Sequence, residues 1–180
     1  MINDAKRICI IGSSGSGKST LALKLGKLLD LPVIHMDMHF WKPDWKEANR
    51  KQMYNEISAR MKSGRWIVDG NYCRSKIMRR LMKQRFKKAD LVVFIDMPLD
   101  ECIASVTERQ QRGEQVGLPE YLEQTKEEFD GLVEHIKYWH VGIKNVLLEM
   151  VDKFAKDKLL QLDGRRGVDE FLDSLNAQYM

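Results

Sequence analysis

Gly12-Ser13-Ser14-Gly15-Ser16-Gly17-Lys18-Ser19 is the stretch that decides the fold. It follows a short apolar run, Ile8-Cys9-Ile10-Ile11, and opens into Leu21-Ala22-Leu23-Lys24-Leu25, residues that suit a helix. Strand, glycine-rich loop, helix is the context that the pattern GxxxxGK[ST] requires. Glycines let the backbone curl with its N–H groups inward, forming a concave nest for an anion. A helix beginning near Lys18 adds the positive end of its dipole. In such a loop Lys18 reaches the β- and γ-phosphates of a nucleotide, and the Ser19 hydroxyl ligates Mg²⁺. ATP and Mg²⁺ are the expected ligands, cradled by Gly12, Ser13, Ser14, Gly15, Ser16, Gly17, Lys18, Ser19 and Thr20.

The rest of the chain alternates in the same manner. Strands are expected at 7–11, 33–36, 66–68, 91–95 and 158–162, and helices at 18–29, 46–62, 75–86, 99–111 and 168–175. A mostly helical stretch at 120–154 has a break at Gly142, and 38–44 and 163–167 read as a structured loop and a turn. Five strands alternating with helices predict an α/β fold: a parallel five-stranded sheet in three layers, with ligands at the carboxyl ends of the strands. The 180 residues favour a single domain spanning 1–180, with a small lid around 112–120 where glycines and Pro119 cluster.

A formal net charge of +4 suits anionic small molecules and does not require nucleic acid. Cys9, Cys73 and Cys102 show no metal-ligand spacing, so reduced thiols and a cytoplasmic setting are expected. The chain enters a strand soon after Met1, which leaves no room for a signal peptide, and no apolar run approaches the roughly 20 residues of a membrane span.

A phosphate-binding loop needs an acidic partner for the magnesium shell, and two aspartates end apolar strands: Asp69 after Trp66-Ile67-Val68, and Asp96 after Val92-Val93-Phe94-Ile95. Either also serves as a turn or cap residue. The loop, Asp69-Gly70 followed by Arg74, the Asp96-Met97-Pro98 turn, and Arg109 and Arg112 together resemble the nucleoside monophosphate kinases, adenylate kinase among them. The resemblance implies that Asp69 supports magnesium beside Ser19 and that Arg109 and Arg112 are lid arginines folding over the transferred phosphate. It also implies that Leu162-Asp163-Gly164 packs on the adenine ring, with Gly164 at the cofactor. Arg74 is implied as the acceptor-phosphate arginine, although this chain lacks the family's proline and carries the arginine one residue later.

Three blocks, Ile10 to Thr20, His35 to Pro43 and Trp66 to Tyr72, are similar to those of bacterial topology modulation proteins, kinase-like members of the same superfamily. That likeness spans about the first 110 residues. The fold implied is that of P-loop nucleoside triphosphate hydrolases of the nucleotide and shikimate kinase type.

His35 and Asp37 lie two apart at a strand end and so share a face. Asp37 is a candidate acceptor ligand or base, as the matching aspartate is in shikimate kinase, with His35 orienting it; the other reading is a buried histidine and a turn aspartate. Phe40-Trp41-Lys42-Pro43-Asp44-Trp45 either stacks on an acceptor ring or plugs a loop against a helix. Lys76, Arg79, Arg80, Lys83, Arg85, Lys87 and Lys88 form a solvated face, an anion-capturing face or a weak nucleic-acid contact. The expected activity is transfer of the ATP γ-phosphoryl group to a small acceptor, a hydroxyl compound or a nucleotide. The expected catalytic residues are Lys18, Asp37, Asp69, Arg109 and Arg112. An ATP-binding regulator of DNA topology or of a protein partner is the alternative.

Overall fold

A strand without polar interruption must have both faces covered, and Ile8-Cys9-Ile10-Ile11 accordingly lies in the middle of the sheet. In the computed structural model this run forms strand β1 (Arg7–Gly12). All residues are described but 1, 3, 115, 121, 123 and 180, and only the backbone of 178 and 179. After β1 come α1 (Lys18–Leu29), β2 (Val33–His35), α2 (Met36–Phe40), β3 (Trp41–Lys42), β4 (Lys46–Glu47), α3 (Arg50–Arg60), β5 (Trp66–Asp69) and α4 (Lys76–Lys88). The second half adds β6 (Leu91–Asp96), α5 (Leu99–Gln111), α6 (Lys126–Tyr138), α7 (Lys144–Ala155), β7 (Leu159–Asp163) and α8 (Gly164–Tyr179).

Five parallel strands run in the order β2-β5-β1-β6-β7. Alternate residues of β1 feed two apolar layers, as the period of a strand demands. Cys9 and Ile11 pack with Met53 and Ile57 of α3, Leu81 and Phe86 of α4, and Leu147 and Val151 of α7. Ile8 and Ile10 pack with Leu21 and Leu25 of α1, Cys102 and Val106 of α5, and Leu175 of α8. The expected three-layer α/β architecture is the one observed. Among the described residues, no helix is long and apolar enough to cross a membrane.

The segment between β2 and α3 differs from expectation. The loop expected at 38–44 is helix α2 followed by a β3–β4 hairpin, pinned where Phe40 packs edge-on to Trp41 with ring centroids 4.7 Å apart. Asp37 therefore sits in the first turn of a helix. Helix α3 begins only at Arg50, because the Asn49 side chain accepts from the N–H groups of Lys51 and Gln52. The expected helix at 120–154 starts at Lys126 behind a capping box of Thr125 and Glu128, and the break at Gly142 is a π-helical turn, Trp139–Ile143. Residues 121 and 123 of that stretch, and 115 of the lid, lie outside the described residues. The turn expected at 163–167 is the start of α8, which begins at Gly164.

Leu81 is fully buried between α4 and the sheet. Leu81→Ala should cost about 2–5 kcal/mol of unfolding free energy, from lost transfer energy and the cavity left behind. Denaturant titration with an unchanged m-value checks it.

Candidate active site

The loop between β1 and α1 closes against α5. Gly15 has φ of +81°, and a Cβ there would stand 2.3 Å from the Cys102 carbonyl oxygen, so only glycine fits. Ser16 is buried, and its hydroxyl has no hydrogen-bond partner among the described residues. Lys18 arches back over the loop, its Nζ donating to the Ser13 carbonyl at 3.3 Å. Asn71 clasps the base of the loop, donating from Nδ2 to the Gly12 carbonyl at 2.7 Å and accepting from the Gly12 N–H at 3.2 Å. Nothing in local spacing marks Asn71 for this role, since the contact crosses from β5 to β1.

Register places the acid. Ile10 of β1 pairs with Asp69 of β5, which sets Asp69 beside the loop. Its Oδ2 accepts from Ser19 Oγ at 2.6 Å and from His35 Nδ1 at 2.9 Å. Its Oδ1 is buried and has no hydrogen-bond partner among the described residues. Burial pushes the carboxyl's pKa up, but the His35 hydrogen bond, the Lys18 charge and the Ser19 hydroxyl outweigh it and hold it below the usual value. His35 thus orients Asp69, where the sequence suggests Asp37. Asp96 is engaged elsewhere: Lys144 Nζ donates to both its oxygens, at 2.7 and 2.9 Å.

Asp37 is held by Tyr72, whose hydroxyl donates to Asp37 Oδ1. Burial raises the Asp37 pKa above the carboxylate norm, against the opposing charge of Lys18 and the bond from Tyr72. Tyr72, Phe40, Trp41 and Trp45 form an aromatic wall, with ring centroids 4.6, 4.7 and 5.3 Å apart in succession. Arg74 is exposed, its guanidinium 5.1 Å from the centre of the Tyr138 ring. Burial lowers the His135 pKa, and the charges of Arg74 and Lys18 lower it further.

A cavity of about 300 Å³ opens on the loop. Gly15, Ser16, Gly17, Lys18, Ser19 and Thr20 line it together with Arg109, Arg112, Arg165, Val168 and Leu172. Gly12, Ser13, Ser14 and Gly164, also expected at the cofactor, are not among its lining residues. Burial lowers the Arg109 pKa, with Asp37 and Glu114 as its negative neighbours, and Arg112 pairs with Glu114 at 3.0 Å. Gly117, in the segment expected to form a lid, lies close to the loop: a Cβ there would stand 3.0 Å from Ser19 Oγ and 3.1 Å from His35 Nδ1. A more open groove of about 520 Å³ along β7 and α8 has its Gln161, Asp163, Arg166 and Glu170 side chains bonded in pairs.

The basic helix α4 is not simply a solvated face. Arg85 is fully buried, Arg79 donates to the Cys73 carbonyl, and Arg80 covers the Tyr54 ring.

No family model matches the chain, and no curated protein matches it in sequence. Solved structures match in fold. Shikimate kinase from Acinetobacter baumannii, in complex with shikimate, superposes with a TM-score of 0.52 at 14% identity, over 99% of this chain and 94% of that one. A gluconokinase from Sinorhizobium meliloti superposes at 0.51 and 15% identity, over 97% of both. The fold is that of the P-loop kinases.

A carboxylate with a raised pKa destabilises the folded state above its unfolded pKa, and that penalty vanishes once acid protonates it in both states. Asp37→Asn, which keeps an acceptor for Tyr72, should therefore raise the melting temperature at pH 7. The gain should shrink as pH falls towards about 4, the unfolded carboxylate value. Thermal melts across that range check the sign.

Proposed function

We propose that this chain is a Mg²⁺-dependent phosphotransferase that moves the γ-phosphoryl group of ATP to a small hydroxyl-bearing acceptor at Asp37. The observation that carries the reading is two aspartates that share Lys18 as a positive neighbour but are held by different partners: buried Asp69 by Ser19 and His35, and half-buried Asp37 by Tyr72. The residues fit a magnesium ion: Asp69 Oδ1 is idle and buried beside Ser19 Oγ, and such an ion keeps several waters and takes few protein ligands. Ser19 and Asp69 would hold it, and it would neutralise phosphate charge.

The protein's own part is positioning and charge balance. Loop amides and Lys18 bind the phosphates. Asp37, held through Oδ1 by Tyr72, presents Oδ2 to the acceptor hydroxyl and takes its proton. The acceptor oxygen then bonds to the γ-phosphorus as the bond to the ADP oxygen breaks. Arg109 and Arg112 face the loop from the lid side and balance the charge that develops. The lid at 112–120 excludes water. On its sequence blocks we group the chain with the topology modulation proteins and assign one domain to 1–180. A second reading, a regulator that binds DNA, draws on Lys83, Lys87 and Lys153, each 5.2–5.8 Å from the Phe154 ring centre. A salt titration of duplex-DNA binding tests it.

An ATP-consumption screen over nucleotides, nucleosides and hydroxylated metabolites tests the main proposal. Lys18→Ala should weaken ATP binding or turnover at least tenfold, about 1.4 kcal/mol. Asp69→Asn should remove Mg²⁺-dependent turnover, whereas Asp96→Asn, which only loosens the bond to Lys144, should do less. With the acceptor in hand, Asp37→Asn should depress kcat and leave ATP affinity intact. A nucleoside monophosphate as best substrate, with KM raised by Arg74→Ala and Asp37→Asn silent, overturns the hydroxyl assignment.

A further inference from the structure

We propose that Arg85 is a positioning residue for the carboxylate of Asp69 and, through Met36, for that of Asp37. Arg85 is 0% exposed, and a guanidinium taken out of water needs occupied donors and, as a rule, a carboxylate. Among the described residues no carboxylate pairs with it. Its bonds go to the carbonyls of Gly70 at 2.8 Å and Val68 at 3.2 Å, and to Met36 Sδ at 2.9 Å. Val68 and Gly70 flank Asp69, and Met36 precedes Asp37.

The geometry suits a brace. The planar fork presents donors in fixed directions, so one side chain holds the backbone on both sides of Asp69 at once, which a lysine ammonium does not reproduce. Gly70 leaves the strand at φ of +130°, and a Cβ there would stand 2.9 Å from Met36 Cβ. The ends of β2 and β5 are thus in contact where the fork joins them. A core that needed only filling would gain by an apolar side chain here, because a buried ion costs solvation. Among the described residues the Nε of Arg85 has no carbonyl or carboxylate partner, and the buried Cys9 thiol is a weak neighbour of the guanidinium, so that cost is incompletely offset. With Val68 and Gly70 held, the Asp69 side chain leaves the backbone in one direction. Ser19 and His35 then occupy Oδ2 while Oδ1 stays free for the ion's water shell.

This inference rests on the assignment of Asp69 to magnesium. The test is calorimetric: the dissociation constant of ATP in EDTA divided by that in excess Mg²⁺. In the parent protein Mg²⁺ should tighten ATP binding; no tightening overturns the Asp69 assignment and the brace with it. Arg85→Lys should lower the ratio by about tenfold, the usual cost of removing an outer-shell partner. ATP affinity in EDTA should stay within about twofold, since Lys18 and the loop amides lie elsewhere. Leu81→Ala, destabilised by lost packing alone, should keep the parent ratio. If Arg85→Lys melts earlier but binds with the parent ratio, Arg85 is core filling and the proposal is wrong. If Arg85→Lys does not fold, Met36→Leu carries the test. It preserves volume and removes one anchor of the fork, so the ratio should fall by about twofold. An unchanged ratio there overturns the brace.

Discussion

A carboxylate buried to 4% exposure with one oxygen occupied and the other idle is the constraint on which the rest of this molecule depends. Burial alone pushes the Asp69 pKa up, so the fold must deliver compensating partners from two separate stretches. Lys18 and Ser19 come from the start of α1, and His35 from the end of β2. They converge only because β5 lies between β2 and β1 in fixed register, with His35 opposite Asp69 on one side and Ile10 opposite it on the other. A one-residue slip of β5 would turn Asp69 to the opposite face of the sheet and strand it in an apolar layer. The clasp of Asn71 on Gly12 guards that register at the base of the loop.

The far edge of the site is set by a helix that changes layers. Ile136 of α6 packs in one apolar layer, whereas Trp139 and Ile143 of the π-helical turn pack in the other. The crossing passes the carboxyl end of β6. There the His140 ring reaches the Met97 carbonyl at 3.0 Å, and Lys144 takes both oxygens of Asp96. His140 and Lys144 are four residues apart, so they share one face of the helix and reach the same strand end. Asp96 is consumed in anchoring this crossing, and β1 is left with one strand-end aspartate beside the loop.

Much of this is legible in the chain. The apolar runs and the GxxxxGK[ST] spacing suffice for a parallel α/β fold, because both are local patterns with a fixed physical period. The segment at 38–44 is not legible. Its helix and hairpin are held by Phe40, Trp41 and Tyr72, and Tyr72 arrives from a loop more than thirty residues on. The choice between Asp69 and Asp96 is likewise closed to local reading, since both end apolar strands that flank β1. Only contacts across the sheet, Ser19 and His35 for one and Lys144 for the other, tell them apart. Arg85 misleads for the same reason. A charge within a basic helix reads as solvated, and nothing in its neighbours says that it turns inward to the end of β5.

Two carboxylates near one lysine have been pushed in opposite directions, and that separation is the strongest chemical statement the site makes. Lys18 favours ionisation of both, so it cannot be the cause of the difference. The cause lies in their other partners. Asp69 gains hydrogen bonds from His35 and Ser19 and is held ionised, which suits a permanent counter-charge to a metal. Asp37 gains one bond from Tyr72, feels Asp69 as a like charge, and is left more basic by burial, which suits a group that accepts a proton and gives it up again. A carboxylate held at a lowered pKa is the weaker base, so of the two Asp37 is the better placed to take a proton. Pairs of titratable groups whose surroundings drive their pKa values apart mark the division of labour in acid–base chemistry. On the proposed reading the division follows the chain: Asp69 at the end of β5 would serve the phosphate side, and Asp37 in the first turn of α2 would serve the acceptor.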